Sequence, residues 1–354
     1  MVSVEELATR YLYLMKLNTS FAKKYFAITN SKPPKDLTTR LYMFANSTDT
    51  TKDDKFKLMS NMLGNDKRLD TLINDYIDKS SKKIPYHEKN RLTIEVERIK
   101  DDWRFRITGF KDPRTSIKFD LRNEAFERLA NRYSIINGKK MPTRILIKFL
   151  LSLDTLMSSL YKNSSSYMHC AIPDKLYNYL KKTFKFNIEL FASPLNARTE
   201  RFCSANPEID KYFGSIGKID CKTLDIITDG GIRQSLSPGS YECNPPYVLE
   251  LCDYVAKAMI SLCEKGDYLF VCCFPLWEKP LADFHKILDN SKFLMHKYIL
   301  KPNEHIFKPG NNFLPNITQD NIVPTFGNTI YIIGSRKPIK NFDEEVIGAT
   351  SLHL

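Results

Sequence analysis

The chain is poor in several things. Tryptophan occurs twice in 354 residues. No apolar run approaches the ~20 residues that a membrane helix needs. The longest in the C-terminal half is the eight-residue stretch 268–275. The opening MVSVEELATRYLYL carries early acids and lacks the layout of a cleavable signal peptide. An intracellular protein is therefore expected, with cytoplasm and nucleus both open. No internal repeat or low-complexity tract is present. The eight cysteines (Cys170, Cys203, Cys221, Cys243, Cys252, Cys263, Cys272 and Cys273) never take CxxC spacing, and the six histidines form no zinc pattern with them. The expectation is buried, reduced thiols and no metal.

What is present is ample apolar bulk. Hydrophobic residues make up 42% of the chain, with 22 Phe and 18 Tyr. Length alone suggests two to three domains. Charge is distributed unevenly. Residues 1–186 hold 36 basic against 21 acidic residues, a net +15. Residues 187–354 hold 17 against 20, a net −3. Such asymmetry points to a polyanionic partner, most simply a nucleic acid. Lys82, Lys83, Arg104, Arg106, Lys139 and Lys140 are individually ordinary surface residues and collectively candidate phosphate contacts.

Periodicity changes along the chain. Residues 5–27, 56–63, 69–77, 123–133 and 142–161 have helical spacing. Residues 92–99 and 103–110 alternate as a β-hairpin would. A polar break lies at 163–166. Beyond it, helices at 173–184, 247–265 and 282–288 alternate with strands at 186–191, 267–274, 296–300 and 328–334. That alternation predicts an α/β doubly wound sheet. The boundary is expected near residue 165. Residues 1–165 form a mainly helical, basic domain and 166–354 the α/β domain.

The sharpest local signal is Glu242-Cys243-Asn244-Pro245-Pro246-Tyr247. Two consecutive prolines fix φ and remove two backbone donors. One reading is a rigid strand-to-helix turn. The other is an amine-methylating motif, [ND]PP[FYW]. In that motif the Asn244 side-chain oxygen and the carbonyl of Pro245 accept from an exocyclic amino group. The nitrogen lone pair then leaves conjugation and aims at a sulfonium methyl, while the Tyr247 ring stacks on the target base. Stacking needs the ring and not the hydroxyl, so Tyr247→Phe is expected to be silent.

A second signal is Glu189-Leu190-Phe191-Ala192-Ser193-Pro194-Leu195-Asn196. It is either a plain strand-to-loop junction or the loop that meets S-adenosylmethionine (SAM) in a Rossmann-like methyltransferase. It lacks the glycines common there. Asp210 suits a SAM ribose or a local cap. Trp277 suits a base pocket or core packing.

Together these strings resemble the catalytic core of the phosphorylated CTD-interacting factor family, the cap-specific adenosine N6-methyltransferases. The resemblance spans about residues 170–335. It runs through Ile172-Pro173, the 189–196 string, Phe202-Cys203-Ser204-Ala205, residues 210–215, Gly239 to Tyr247, Leu249-Glu250-Leu251, Phe274-Pro275-Leu276-Trp277, Tyr298-Ile299-Leu300, Glu304-His305 and Asn328-Thr329. It implies a Rossmann-like, SAM-dependent methyltransferase domain preceded by a mainly helical one. The implied substrate is the 2′-O-methyladenosine beside the 7-methylguanosine cap of mRNA, methylated at N6. Asn244, Pro245, Pro246 and Tyr247 would be catalytic. Ala192, Ser193, Pro194, Asn196, Asp210 and Glu242 would surround SAM. Trp277, Glu304 and His305 would join Arg104, Arg106, Lys139 and Lys140 on capped RNA, in a groove between the domains. No membrane or metal partner is implied. The chain departs from the family at Tyr247, usually Phe, and at Leu276, usually Glu. No WW module is expected before the core. Two alternatives are an N6-adenine methyltransferase acting on internal RNA or DNA, and a catalytically silent capped-RNA-binding subunit.

Overall fold

The computed structural model describes residues 2–34, 37, 40–41, 51–82, 92–157, 170–277, 282–308, 313, 321–335 and 346–347. Lys83, the break at 163–166 and the end of the long helix beyond Met157 lie outside the described residues. The chain divides into two compact units.

The first unit comprises Met1–Ser166 with Phe313–Ile317. Its longest helix, Val4–Thr29, opens on a capping box in which Ser3 and Glu6 satisfy each other's backbone donors. It closes on Asn30 in the left-handed region, φ 54°. The helix packs against Asp70–Ser80 and Thr143–Met157. Phe21 meets Tyr76 edge-on at 5.0 Å, and the Tyr76 hydroxyl donates to Asn18 Oδ1 at 2.8 Å. Burying an aromatic together with a partner for its hydroxyl fixes the helix crossing as well as the apolar area.

The expected hairpin is present as β1 (Thr93–Ile99) and β2 (Asp102–Thr108). A third strand, β3 (Ile117–Leu121), joins it and was not foreseen. Alternation along β2 buries Phe105 and Ile107. Arg104 and Arg106 lie on the opposite face. The unit thus carries a small antiparallel sheet beside its helices.

The second unit comprises Tyr167–Asn312 with Thr318–Leu354. It holds a nine-stranded mixed sheet. The strands are β4 (Ile188–Glu189), β5 (Arg201–Cys203), β6 (Ser215–Ile219), β7 (Ile226–Ile227), β8 (Arg233–Gln234), β9 (Gly239–Glu242), β10 (Tyr268–Pro275), β11 (Leu294–Leu300) and β12 (Asn328–Gly334), in the spatial order β11-β12-β10-β9-β4-β5-β6-β7-β8. The block β6-β5-β4-β9-β10 is parallel. β12 runs antiparallel to both β10 and β11, so the sheet is mixed.

All eight residues of β10 are buried, as expected of an apolar run covered on both faces. On one face Leu269, Val271 and Cys273 join Leu176, Tyr177 and Leu180 of the helix Asp174–Phe184 in one core cluster. On the other, Cys272 Sγ meets Met259 Sδ of the helix Leu249–Lys265 at 3.3 Å, and Phe274 stacks on Phe284 at 5.1 Å. From β4 the chain builds β5 and β6 outward on one side, then returns to place β9 and β10 on the other. The order reverses between β4 and β9, and ligands of such sheets bind at the carboxyl ends of the strands at that point. There β4 ends on Glu189 and β9 on Glu242, and these two residues are register partners.

Candidate active site

Glu189 is buried and fully used. Its Oε1 accepts from the Tyr177 hydroxyl at 2.5 Å, from Arg198 N at 2.7 Å and from Thr199 N at 2.8 Å. The carboxylate thereby ties the helix Asp174–Phe184 to the loop that follows β4. The Arg198 guanidinium lies over the Tyr177 ring at 4.5 Å and donates to Ile172 O at 2.6 Å. These contacts were not read from sequence. The available signal was a lone acid inside the apolar stretch 186–191.

Glu242 is the opposite case. One carboxyl oxygen accepts from Asn244 Nδ2; the other is buried with no partner among the described residues. Burial pushes its pKa well above the usual carboxylate range, and the neighbouring Glu189 charge adds to the rise. Glu242 lines a cavity of about 10 Å³ with Asn244, Tyr177, Val271, Cys272 and Cys273. That is room for roughly one water.

Asn244 is held at both ends of its amide. Cys273 N, on the neighbouring strand β10, donates to Asn244 Oδ1 at 2.5 Å. A backbone N–H can only donate, so this contact settles which end of the amide is oxygen. The two prolines carry the chain away from β9 before the helix begins. Val248 N turns back to Pro246 O at 2.7 Å, so the helix starts at Leu249 and leaves Tyr247 in the loop, rather than at residue 247. The Tyr247 hydroxyl is engaged: it donates to Asn328 Oδ1 at 3.0 Å and lies 3.3 Å from Cys273 O. The expectation of an idle hydroxyl does not hold in this structure.

The loop after β4 closes on itself. Ser193 N and Oγ both donate to Asn196 Oδ1, at 2.7 and 3.1 Å, and Asn196 N returns to Ser193 O at 3.1 Å. Ala192 N donates to Cys203 O at 2.9 Å, extending the ladder toward β5. Ser193 and Pro194 are buried. The Asn196 oxygen thus shapes the loop.

Asp210 is buried and bonded within its own loop, by the Ser204 hydroxyl and the Asn206 backbone, which favours the local cap reading. Burial raises its pKa from 3.8 to about 7. The native state therefore takes the proton before the unfolded chain does. The energetic cost of this group grows as pH rises from about 4 to about 7. Asp210→Asn should accordingly raise the melting temperature relative to wild type, by a margin that widens between pH 4 and 7 and is constant above. A margin independent of pH in thermal scans would contradict the buried-acid assignment.

A family model described as the phosphorylated CTD interacting factor 1 WW domain matches residues 122–310, more than half of the chain. The chain belongs to this family. Two relatives carry the name mRNA (2′-O-methyladenosine-N(6)-)-methyltransferase. The one from Homo sapiens is 31% identical over 147 residues, 41% of this chain and 19% of that protein. The one from Mus musculus is 30% identical over 146 residues, with the same shares. The matched stretch thus spans about a fifth of the relatives' length. The expectation of a core without a WW module does not stand against a match to a model described by that module.

The residues expected to meet capped RNA fall in both units. His305 is only 1% exposed, and both ring nitrogens are bonded internally. It does not face solvent. Glu304 is exposed and lies 3.9 Å from Lys301. Trp277 is half-buried and packs edge-on against Phe284 at 5.8 Å, which favours the packing reading. Leu276 seats on Gly327, where an added Cβ would lie 3.0 Å from Leu276 Cδ2. In the first unit, Arg104 forms a two-point pair with Asp120, at 2.6 and 3.0 Å. Arg106 lies 3.9 Å from Glu95. Lys139 and Lys140 are exposed, and no ion pair engages them among the described residues. Among the described residues no group of His, Cys, Asp and Glu is arranged to hold a metal, and no helix is long and apolar enough to cross a membrane.

Proposed function

We propose that this chain methylates N6 of the adenosine beside the 7-methylguanosine cap of mRNA, using SAM. The observation that carries the reading is Asn244, fixed by Cys273 N and Glu242 at the carboxyl end of β9, where the strand order reverses. The parallel block supports a Rossmann-like methyltransferase sheet. Numbered among themselves its strands run 3-2-1-4-5, the order of the doubly wound nucleotide-binding fold. The names of the human and mouse relatives support the cap-adjacent substrate.

The chain's residues act by orientation. Asn244 Oδ1 gives one lone pair to Cys273 N and keeps a second for an N–H of the exocyclic amine. The Pro245 carbonyl takes the other N–H. Bonding both hydrogens turns the nitrogen lone pair out of the ring, and the Tyr247 ring holds the base by stacking. No strong base is needed, because the proton leaves after the nitrogen becomes cationic. The unpartnered, buried oxygen of Glu242 fits a cationic or N–H-bearing group, as SAM offers. Glu242 would hold it with Ala192, Ser193, Pro194 and Asn196 of the loop; Asp210 would contribute only if its local bonds opened. When bound, SAM supplies an electrophilic methyl group.

The test is incubation with SAM and capped, uncapped and internal-adenosine oligonucleotides, with methylated nucleosides read by mass spectrometry. Product on capped RNA alone supports the proposal. Product on internal adenosine, or none on any substrate, replaces it with the internal-methylase or silent-subunit reading.

The charge asymmetry yields a further expectation. Binding of capped RNA should weaken by roughly 0.7 log unit per contacted phosphate for each log unit of salt. Lys139→Glu with Lys140→Glu should lower affinity and flatten that slope while sparing S-adenosylhomocysteine binding. Arg104 and Arg106, each beside an acid, should contribute less. An unchanged slope would place Lys139 and Lys140 off the RNA path.

A further inference from the structure

We propose that Asn328 and His305 anchor the Tyr247 ring through its hydroxyl, and that protonation of His305 releases it. The functional consequence rests on the amine-methylating reading of Tyr247; the anchor itself does not.

The relay runs Lys301 O, His305, Asn328, Tyr247. Its hydrogen positions follow from its fixed end. The Lys301 carbonyl can only accept, so His305 Nδ1, 2.8 Å away, carries a proton. In a neutral imidazole Nε2 is then an acceptor. The group facing it at 2.8 Å is therefore Asn328 Nδ2. That orientation leaves Asn328 Oδ1 to accept from the Tyr247 hydroxyl at 3.0 Å. Both Asn328, fully buried at the start of β12, and His305 are closed to water, so no solvent molecule substitutes for a missing partner. Phe326 meets the Tyr247 ring edge-on at 6.4 Å.

A second proton on His305 reverses the relay. Nε2–H must donate, so Asn328 must turn its oxygen toward the imidazole. Its amino group then faces the Tyr247 oxygen, and the phenolic hydrogen must turn to Cys273 O, at 3.3 Å a longer contact. Burial lowers the His305 pKa below its usual 6.5, so the imidazole is neutral at physiological pH and the anchor is engaged there. The other titratable groups about the relay are Tyr247 itself, Cys273, Cys252 and Cys170 beside it, and the Lys301–Glu304 pair on the His305 loop. Burial raises Tyr247, Cys273 and Cys252, so none of those three ionises in the acid range where His305 does.

The test uses the full chain. In ¹⁵N-histidine-labelled protein, His305 should show the Nδ1–H tautomer, titrate below pH 6.5, and shift at Nε2 in Tyr247→Phe. An Nε2–H tautomer, or resonances indifferent to Tyr247→Phe, overturns the anchor. This readout needs no activity, so it still decides the anchor if the wild type methylates no adenosine substrate and the proposed function fails. On capped RNA, wild-type kcat should fall in acid as His305 protonates. Tyr247→Phe and His305→Leu should each lose roughly tenfold in kcat at pH 8, with KM within about twofold and no acid limb. His305→Gln, which keeps an acceptor for Asn328 and does not titrate, should restore kcat to within about threefold and also lack the acid limb. Thermal melts establish that each variant is folded. A Tyr247→Phe enzyme as fast as wild type, or an acid limb that persists in His305→Gln, overturns the role in catalysis.

Discussion

Asn244→Ala should lower methyl transfer by about 10²–10³, the usual cost of removing one preorganised transition-state hydrogen bond. The methyl side chain leaves the adenine amine without its acceptor. It also strands two protein groups that Asn244 now satisfies, Cys273 N and one Glu242 oxygen. Each buried unpaired group costs about 1–3 kcal/mol of stability, so a melt must accompany the assay. Asn244→Asp separates the two effects. An aspartate keeps an oxygen for Cys273 N, and Glu242, whose burial favours its neutral form, can take up a proton to donate to the other. The variant should stay folded and retain activity within about tenfold. The measurement is methylated nucleoside by mass spectrometry under single-turnover conditions. An Asn244→Ala enzyme with more than about a third of wild-type turnover would sink the motif assignment.

Asn244 was legible because its chemistry is written in contiguous residues. The prolines, the preceding strand and the aromatic residue need no tertiary information. β10 and β12 were legible for a related reason: both are long apolar runs, and an apolar run covered on both faces reads as itself. The strand at 328–334 has the bounds that its sequence suggested. The short strands were not legible. β4, β7 and β8 have two residues each, too few for any period to register, and exist because neighbours in the sheet pair with them. Half of the site was hidden for the same reason. His305 follows the polar residues Lys301, Asn303 and Glu304 and reads as a surface loop residue. Its burial depends on Asn328, far along the chain, whose amide is the matching partner. Tyr247 was read for its ring, since stacking is a local property of the motif. The use of its hydroxyl is a property of where β12 begins.

The second large effect is expected at Glu189. Replacing it by Ala should destabilise the second unit by about 3–5 kcal/mol, the range found when one member of a buried polar set is removed. Three donors depend on this one carboxylate: the Tyr177 hydroxyl and the backbone N–H groups of Arg198 and Thr199. Glu189 is only 5% exposed, so water does not readily replace it. Glu189→Gln should cost less. Its carbonyl oxygen can take the place of Oε1, which accepts all three donors. The loss should extend to function through the loop. Residues 192–199 are tied to the sheet at one end by Ala192 N on Cys203 O and at the other by Glu189. Without the second tie, the Ser193–Asn196 turn is no longer held against β4, so S-adenosylhomocysteine affinity should fall in Glu189→Ala and be largely kept in Glu189→Gln. Urea unfolding with an unchanged m-value gives the stability change, and calorimetric titration gives the affinity. A Glu189→Ala protein within 1 kcal/mol of wild type would mean that the three donors find other partners, and that the carboxylate does not organise the loop.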